Sequence, residues 1–431
     1  MHRSAASERV DVGPIEAPAH DRASVTRWVD DYLAGLVGDD APPSPRFVGG
    51  QSAADAALAR FDVEGYASKR NVVEPASARG ASGLSPWIRH GFLPLPRVWA
   101  AVEGRPSRDV AKFRSELLWQ EYARHLYARI GTASGRSMRF AAPEHGPSRM
   151  GARASAGMAC VERLREELHR DGWIPNASRM WLASHWSVRG RGGWRDGEDR
   201  FFQHLLDGSR AANRLGWQWT AGAQTGRLYT FERGQVERQA AGWCGGCVRS
   251  HDCPIEGPPG TPVPAHAAEP APRLGRVAET ETGAGPASAI DRGEPEAVWL
   301  TAESLGDADP ALAAHPGLPV VFVFDRARLA RWKLSRKRLV FLVEGLAELA
   351  AKRSLELHVG EPVRVLASRR WAATHAPVPG WRSIAGRLVI AREHPWPWLV
   401  TPHVGPIGSF SAWRKKIVLP EVDGPQQALS L

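Results

Sequence analysis

The stretch 257–296, GPPGTPVPAHAAEPAPRLGRVAETETGAGPASAIDRGEPE, constrains the fold more than any other feature. Pro, Ala, Gly and Glu dominate it, so it has too few large apolar side chains to bury a core and reads as a linker. The chain is therefore expected to fold as two bodies. Upstream, apolar residues recur at helical spacing in VAKFRSELLWQEYARHLYARI (110–130), in MACVERLREELHR (158–170), which Asp171-Gly172 stops, and in DRFFQHLLDGSRAANRLGW. Downstream, AVWLTA and PVVFVFD are short β-branched and aromatic runs. RKRLVFLVEGLAELAAKRS reads as an amphipathic helix, and LELHVG and RLVIA as further strands. Strands alternating with a helix imply a small α/β domain with a largely parallel sheet. The expected organisation is mainly α: a polar, Ala/Ser-rich, disordered stretch at 1–22, an all-helical domain at 23–256, the linker, a Rossmann-like α/β domain at 297–420 and a tail at 421–431.

A length of 431 residues leaves room for two or three domains, and 43% hydrophobic with 24% charged residues is ordinary for a soluble globular protein. No apolar run reaches the length of a membrane span, and the first thirty residues lack an apolar signal core; the expectation is a cytoplasmic protein without membrane contact. A formal charge of +10 favours polyanionic partners, because neutralised phosphates release counterions. The eighteen tryptophans are unusual; their rings can stack on bases or carry electrons between redox centres. The only cysteines are Cys160, Cys244, Cys247 and Cys253. Their clustering points to metal or redox chemistry. A CxxC followed by Cys-Pro is compatible with a [4Fe–4S] cluster, and a structural zinc site with four cysteine ligands fits the count equally well.

DGSRAANRLGWQWTA (207–221) is by itself a polar turn followed by an aromatic cluster. Together with four other stretches in the same order, it resembles the flavin-cradling segment of the DNA photolyase/cryptochrome family. The likeness is strong over about 45–255 and looser over 297–400. In Tyr66-Ala67-Ser68-Lys69-Arg70 and SGLSPWIRHGFLPLPRV (82–98) it implies a phosphate grip on FAD. Tyr66, Ser82, Gly83, Leu84 and Ser85 would form it; Ala81 stands where the family has Thr. In ELLWQEYARHL, Glu116, Trp119 and Gln120 share one helix face. The resemblance assigns Glu116 to hydrogen bonding of the substrate, Trp119 to stacking on the lesion, and Arg70 and Gln120 to DNA. The family carries Arg at the last position and commonly at 177, where this chain has Gln120 and Ala177.

In DGWIPNASRMWLASHW (171–186), Asn176 and Met180 fall in the substrate pocket, and Arg179 is expected to pair with Asp207. Gly208 and Ser209 continue the flavin loop. Asn213 would face the flavin N5 edge, where a neutral amide can accept from N5–H and favour reduced flavin. Trp217 and Trp194 match the proximal and middle electron-transfer positions; Trp181, Trp186 or Trp243 could supply the distal one. No histidine follows Gly172-Trp173, whereas the branch repairing (6-4) photoproducts uses His there for proton transfer. The pocket of Glu116, Trp119, Asn176, Met180 and Trp219 resembles that of enzymes repairing cyclobutane pyrimidine dimers, which flip the lesion out of the duplex at a cost of a few kcal/mol.

The cysteine positions are similar to those of the iron–sulfur branch. The order of the two domains is reversed, as in a circular permutation. With only the residues after 296 in that domain, an antenna chromophore is left open. The resemblance thus implies a monomeric, FAD-dependent, light-driven lyase acting on ultraviolet-damaged DNA. Its alternatives are a cryptochrome-like blue-light photoreceptor, a (6-4)-type iron–sulfur relative, and a nucleic-acid-binding flavoprotein without repair.

Overall fold

The computed structural model describes residues 13–142, 157–257 and 266–420. Its principal helices are α1 (Arg22–Tyr32), α2 (Ser107–Ile130), α3 (Ala159–Asp171), α4 (Asn176–Ser184), α5 (Trp194–His204), α6 (Arg210–Thr220), α7 (Arg336–Ala350) and the short α8 (Phe410–Arg414). Six strands form one sheet: β1 (Ile290–Asp291), β2 (Ala297–Leu300), β3 (Val320–Asp325), β4 (Leu355–Gly360), β5 (Arg370–Thr374) and β6 (Val389–His394). The chain divides into two compact units. The first comprises residues up to Ala56, Trp87–Pro94 and Gly285–Pro397; the second comprises Ala57–Pro86, Leu95–Ala284 and the residues from Trp398.

In the first unit the strand order is β1-β6-β5-β2-β3-β4, parallel except for the β1–β6 pair. Central β2 is buried along its whole length, as a parallel strand covered on both faces must be. The order reverses between β2 and β5, which makes this a doubly wound sheet. The amphipathic expectation for α7 needs correcting, because Lys337 to Leu349 are all buried. The polar face of α7 meets the N-terminal segment of the same unit. Glu344 accepts from Gly49 N at 2.7 Å and Arg22 Nε at 2.9 Å, and Glu348 from Ser52 Oγ at 2.7 Å.

That segment departs from the expected boundaries. Residues 1–12 lie outside the described residues, but 13–22 are ordered: Ile15 is buried and its N donates to Leu357 O of β4 at 2.7 Å. Asp21 caps α1, accepting from Ser24 N at 2.8 Å, and Val25, Trp28 and Val29 form its buried stripe. α1 packs on α7, and so belongs with the α/β sheet.

The second unit is helical. Its core joins Val161, Leu164 and Leu168 of α3 to Trp181 of α4, Phe201 of α5, Trp217 of α6, and Phe231 and Trp243 beyond them. α2 is the exception to apolar burial, since Arg114, Glu121, His125 and Arg129 are all buried. The chain that returns after the sheet satisfies most of them. Glu121 Oε1 accepts from Leu399 N at 2.7 Å, His125 Nδ1 accepts from Trp413 Nε1 at 2.9 Å, and Arg129 donates to the carbonyls of His403 and Gly405.

The expected α/β domain at 297–420 therefore stops near Pro397, and the rest completes the helical unit. The expected linker also differs. Leu274 is buried, Ile407 N donates to Leu274 O at 2.9 Å, and Ile290–Asp291 forms β1. Its few apolar residues fall where each unit has a free edge, and its extended backbone finds partners there. Residues 258–265 of that stretch and the proposed tail 421–431 lie outside the described residues.

Candidate functional site

The segment 207–219 is built around a helix start. Ser209 caps α6, its Oγ accepting from Ala211 N at 3.2 Å. Ahead of the cap, Asp207 Oδ2 accepts from Arg179 Nη2 of α4 at 2.8 Å, and Arg179 Nε donates to Ile174 O at 3.0 Å. The pair expected from the sequence is thus in contact, with the Asp207 side chain 6% exposed. Asp207 Oδ1 is buried without a partner.

One turn into α6, Asn213 Nδ2 donates to both the main-chain carbonyl and the Oε1 of Glu198, each at 2.9 Å. Both partners are acceptors, which identifies the amide nitrogen and leaves Oδ1 as an acceptor. Glu198 is the residue that sequence reasoning missed. It is buried, and it also accepts from Arg210 at 2.6 Å and pairs with Arg214 at 3.6 Å. Burial pushes its carboxyl up, and Arg210 and Arg214 pull it back. The available signal was the spacing Trp194…Glu198 on one helix, which brings a carboxylate beneath α6.

Trp217 is buried and packs edge-on against Phe201 at 5.0 Å; its Nε1 has no partner. Gly197 permits this packing. A Cβ there would lie 2.1 Å from Trp217 Cη2 and 2.9 Å from Trp186 Cδ1, so the two indoles approach each other around a bare backbone. Trp194 is buried three residues earlier on α5, and Trp186 is partly exposed with Nε1 donating to Gly193 O at 2.8 Å.

The turn 82–85 has Gly83 at φ +67°, a backbone conformation that favours glycine, followed by buried Leu84. Ser85 Oγ accepts from Trp173 Nε1 at 2.9 Å, which ties the turn to the Gly-Trp motif and leaves the Ser85 O–H as a donor. Ser82 Oγ accepts from Leu84 N at 3.4 Å. Tyr66 is buried against Phe113 at 5.1 Å, and burial pushes its phenol up.

On the partly exposed face of α2, Glu116 pairs with Lys112 at 3.0 Å and with Arg70 at 3.6 Å, and Gln120 follows one turn on. Trp119 is stacked on Phe410 at 3.9 Å and 9°. Met180 Sδ accepts from Thr220 Oγ1 at 3.7 Å, joining α4 to α6. Trp219 leans on Tyr229 at 5.1 Å, and Asn176 opens α4 in an exposed position. α6 packs on α2, α4 and α5, which gathers these residues into one unit.

Elsewhere in that unit, Cys160, Cys244, Cys247 and Cys253 line a single pocket together with Met158 and Trp243. Burial, with the three neighbouring thiols adding to it, pushes Cys160 up to about 12. Among the described residues, no group of three or more His, Cys, Asp or Glu is close enough together to hold a metal ion. No described helix is long and apolar enough to cross a membrane.

Residues 113–241 match the family described as the FAD binding domain of DNA photolyase. The deoxyribodipyrimidine photo-lyase of Synechococcus sp. is 32% identical over 189 residues, 40% of this chain and 38% of the relative. One from Thermus thermophilus is 31% identical over 218 residues, 48% of this chain and 50% of the relative. The match thus spans half or less of these curated relatives. Among solved structures, a bacterial class III photolyase from Agrobacterium tumefaciens aligns with a TM-score of 0.38 at 25% identity, over 49% of this chain and 45% of that one. Residues 113–241 are thus similar to the FAD binding domain of DNA photolyase, and the likeness to the curated photo-lyases covers less than half of this chain.

Proposed function

We propose that the protein is a light-driven lyase that repairs cyclobutane pyrimidine dimers in DNA, with FAD held by the helical unit. The observation that carries the reading is the pair of unused acceptors on one segment: the buried Asp207 Oδ1, and Asn213 Oδ1 beside an amide nitrogen already bound to Glu198. These residues fit a flavin, whose ring edge offers N–H donors. When bound, FAD supplies the electron that light drives onto the lesion.

The chain's own residues would do the rest. Arg179 fixes Asp207, Glu198 orients Asn213, and Tyr66, Gly83, Leu84, Gly208 and the Ser82, Ser85 and Ser209 hydroxyls line the phosphate side. Trp217 and Trp194 carry electrons, with Trp186 across Gly197 as the outer member. Glu116, braced by Lys112 and Arg70, hydrogen-bonds the flipped bases. Trp119 and Trp219 stack on them, at about 1–3 kcal/mol per base. Asn176 and Met180 line the pocket, and Gln120 and Arg70 meet the backbone. The α/β sheet following the helical unit supports a permuted domain order.

The four cysteines would ligate a [4Fe–4S] cluster. They converge on one pocket, and four thiolates are the ligand set of such a cluster, a count that a zinc site with four cysteine ligands shares. Iron and acid-labile sulfide in the purified protein, lost in Cys244→Ser, are expected; stoichiometric zinc contradicts the assignment.

The repair reading is tested by binding in the dark to a duplex carrying one cyclobutane dimer and to the same duplex undamaged. A preference of roughly tenfold or more is expected, a modest threshold beside the roughly 10³–10⁷ that separates specific from non-specific DNA binding; equal affinity overturns repair in favour of a photoreceptor.

A further inference from the structure

The face of Trp119 is not an isolated ring. Phe410 lies parallel to it at 3.9 Å and 9°, contributed by a segment almost three hundred positions later in the chain. Phe410 is itself firmly held. Ser409 caps α8, its Oγ accepting from Ala412 N at 3.2 Å, and Trp413 is fully buried with Nε1 donating to His125 Nδ1 at 2.9 Å. Tyr122 stands edge-on to Trp119 at 6.0 Å and to Phe410 at 5.7 Å, and its hydroxyl donates to Ile407 O at 2.9 Å. A ring anchored on three sides is a backing, not a removable cover. Trp119 nevertheless remains partly exposed. An indole has two faces; Phe410 covers one, and the partial exposure of the side chain gives a base a way to reach it.

We propose that Phe410 is a positioning residue for lesion recognition, holding the Trp119 indole in the plane on which a flipped pyrimidine stacks. The inference rests on the repair reading above, through the role given to Trp119. Its physical basis is preorganisation. An unbacked Trp119 must give up rotamer freedom when a base binds, whereas a backed one has already done so during folding. The residues that recognise the lesion would then include part of the chain beyond the sheet, and the helical unit would be incomplete as a lesion binder without 398–414.

The test measures affinity for a duplex with one cyclobutane dimer, relative to the undamaged duplex, using the full-length protein. Phe410→Ala is expected to weaken the preference roughly two- to tenfold, the range of a lost aromatic pair. Phe410→Leu, which keeps apolar volume but no flat face, is expected to fall with it. Phe410→Tyr, which keeps the ring, should stay within about twofold of the unsubstituted protein. Far-ultraviolet circular dichroism checks that each variant is folded.

Trp119→Ala separates the two claims. If it leaves the preference intact, Trp119 does not stack on the lesion, and both the repair role of that residue and this inference fail. If it lowers the preference while Phe410→Ala does not, only this inference fails. A stronger preference in Phe410→Ala would make Phe410 a competitor for the base, and a Leu variant as good as Phe would make it mere filling; either result overturns the proposal.

Discussion

Replacing Arg179 with Met tests the architecture of the segment that begins at Asp207 through one charge. Arg179 holds Asp207 by a hydrogen bond, Nη2 to Oδ2 at 2.8 Å, while Oδ1 has no partner. The Asp207 side chain is 6% exposed and that of Arg179 is 23% exposed. Arg179→Met therefore strands a carboxylate in the protein interior and also leaves Ile174 O without its 3.0 Å donor. Breaking a buried pair from one side costs about 3–5 kcal/mol, and because water reaches Arg179 the lower end, about 3 kcal/mol, is expected. Asp207→Asn added to Arg179→Met removes the stranded charge and should restore about 2 kcal/mol of that loss. The assay is urea denaturation of the parent, both single variants and the double variant, followed by circular dichroism. Single-variant losses that add within about 0.5 kcal/mol would refute the reasoning, since residues without an interaction behave that way.

Three other outcomes follow from the same geometry. His90 is buried, its Nδ1–H donates to Ala302 O at 2.7 Å, and burial, helped by Arg89 and Arg338, pushes it down to about 3. The unfolded chain takes up that proton below about 6.5 and the folded one does not. His90 therefore contributes stability above about 6.5 that is lost on acidification, by up to about 1.4 kcal/mol per pH unit toward about 3. His90→Asn should flatten the acid limb of a stability-versus-pH curve, and an unchanged limb contradicts this. Asn213→Asp sets a carboxylate against Glu198 Oε1 in place of the amide nitrogen 2.9 Å away, and should move the potential of bound flavin negative in a spectroelectrochemical titration; an unmoved potential rejects the assigned orientation. Glu121→Ala unpairs Leu399 N and Val400 N, costing about 1–3 kcal/mol for each buried group, and should speed proteolytic loss of the 398–420 segment, whereas Glu121→Gln keeps an acceptor and should not.

The sequence made some of this legible and hid the rest for identifiable reasons. Arg179 and Asp207 could be paired because each sits in a local motif of the family, and the pair needs no distant segment. The strands β2, β3, β4 and β6 were legible as short apolar runs, whereas β5, whose sequence is Arg-Trp-Ala-Ala-Thr, gave no such run. The charged residues on the buried side of α2 gave no such signal. Glu121, His125 and Arg129 look like ordinary surface charges on a helix, and their partners, from Leu399 to Trp413, lie far away in sequence. The same separation hid Phe410 behind Trp119. Polar residues on α7 misled in the same way, since Arg22, Gly49 and Ser52 cover Glu344 and Glu348. Glu198 was hidden for another reason: its partners Asn213 and Arg210 sit on the next helix, and only packing brings the two helices together. Composition also overstated the linker, because a few well-placed residues such as Leu274 suffice to dock an extended chain.

The central claim is tested most directly by illuminating the purified, flavin-loaded protein with blue light in the presence of DNA carrying cyclobutane dimers, and counting dimers and restored pyrimidines. The account predicts that dimers disappear in the light with equal recovery of pyrimidine pairs, not in darkness, and that DNA carrying only (6-4) photoproducts is left unchanged. Dimer content that is the same in light and dark, with FAD bound and the protein folded, would contradict it.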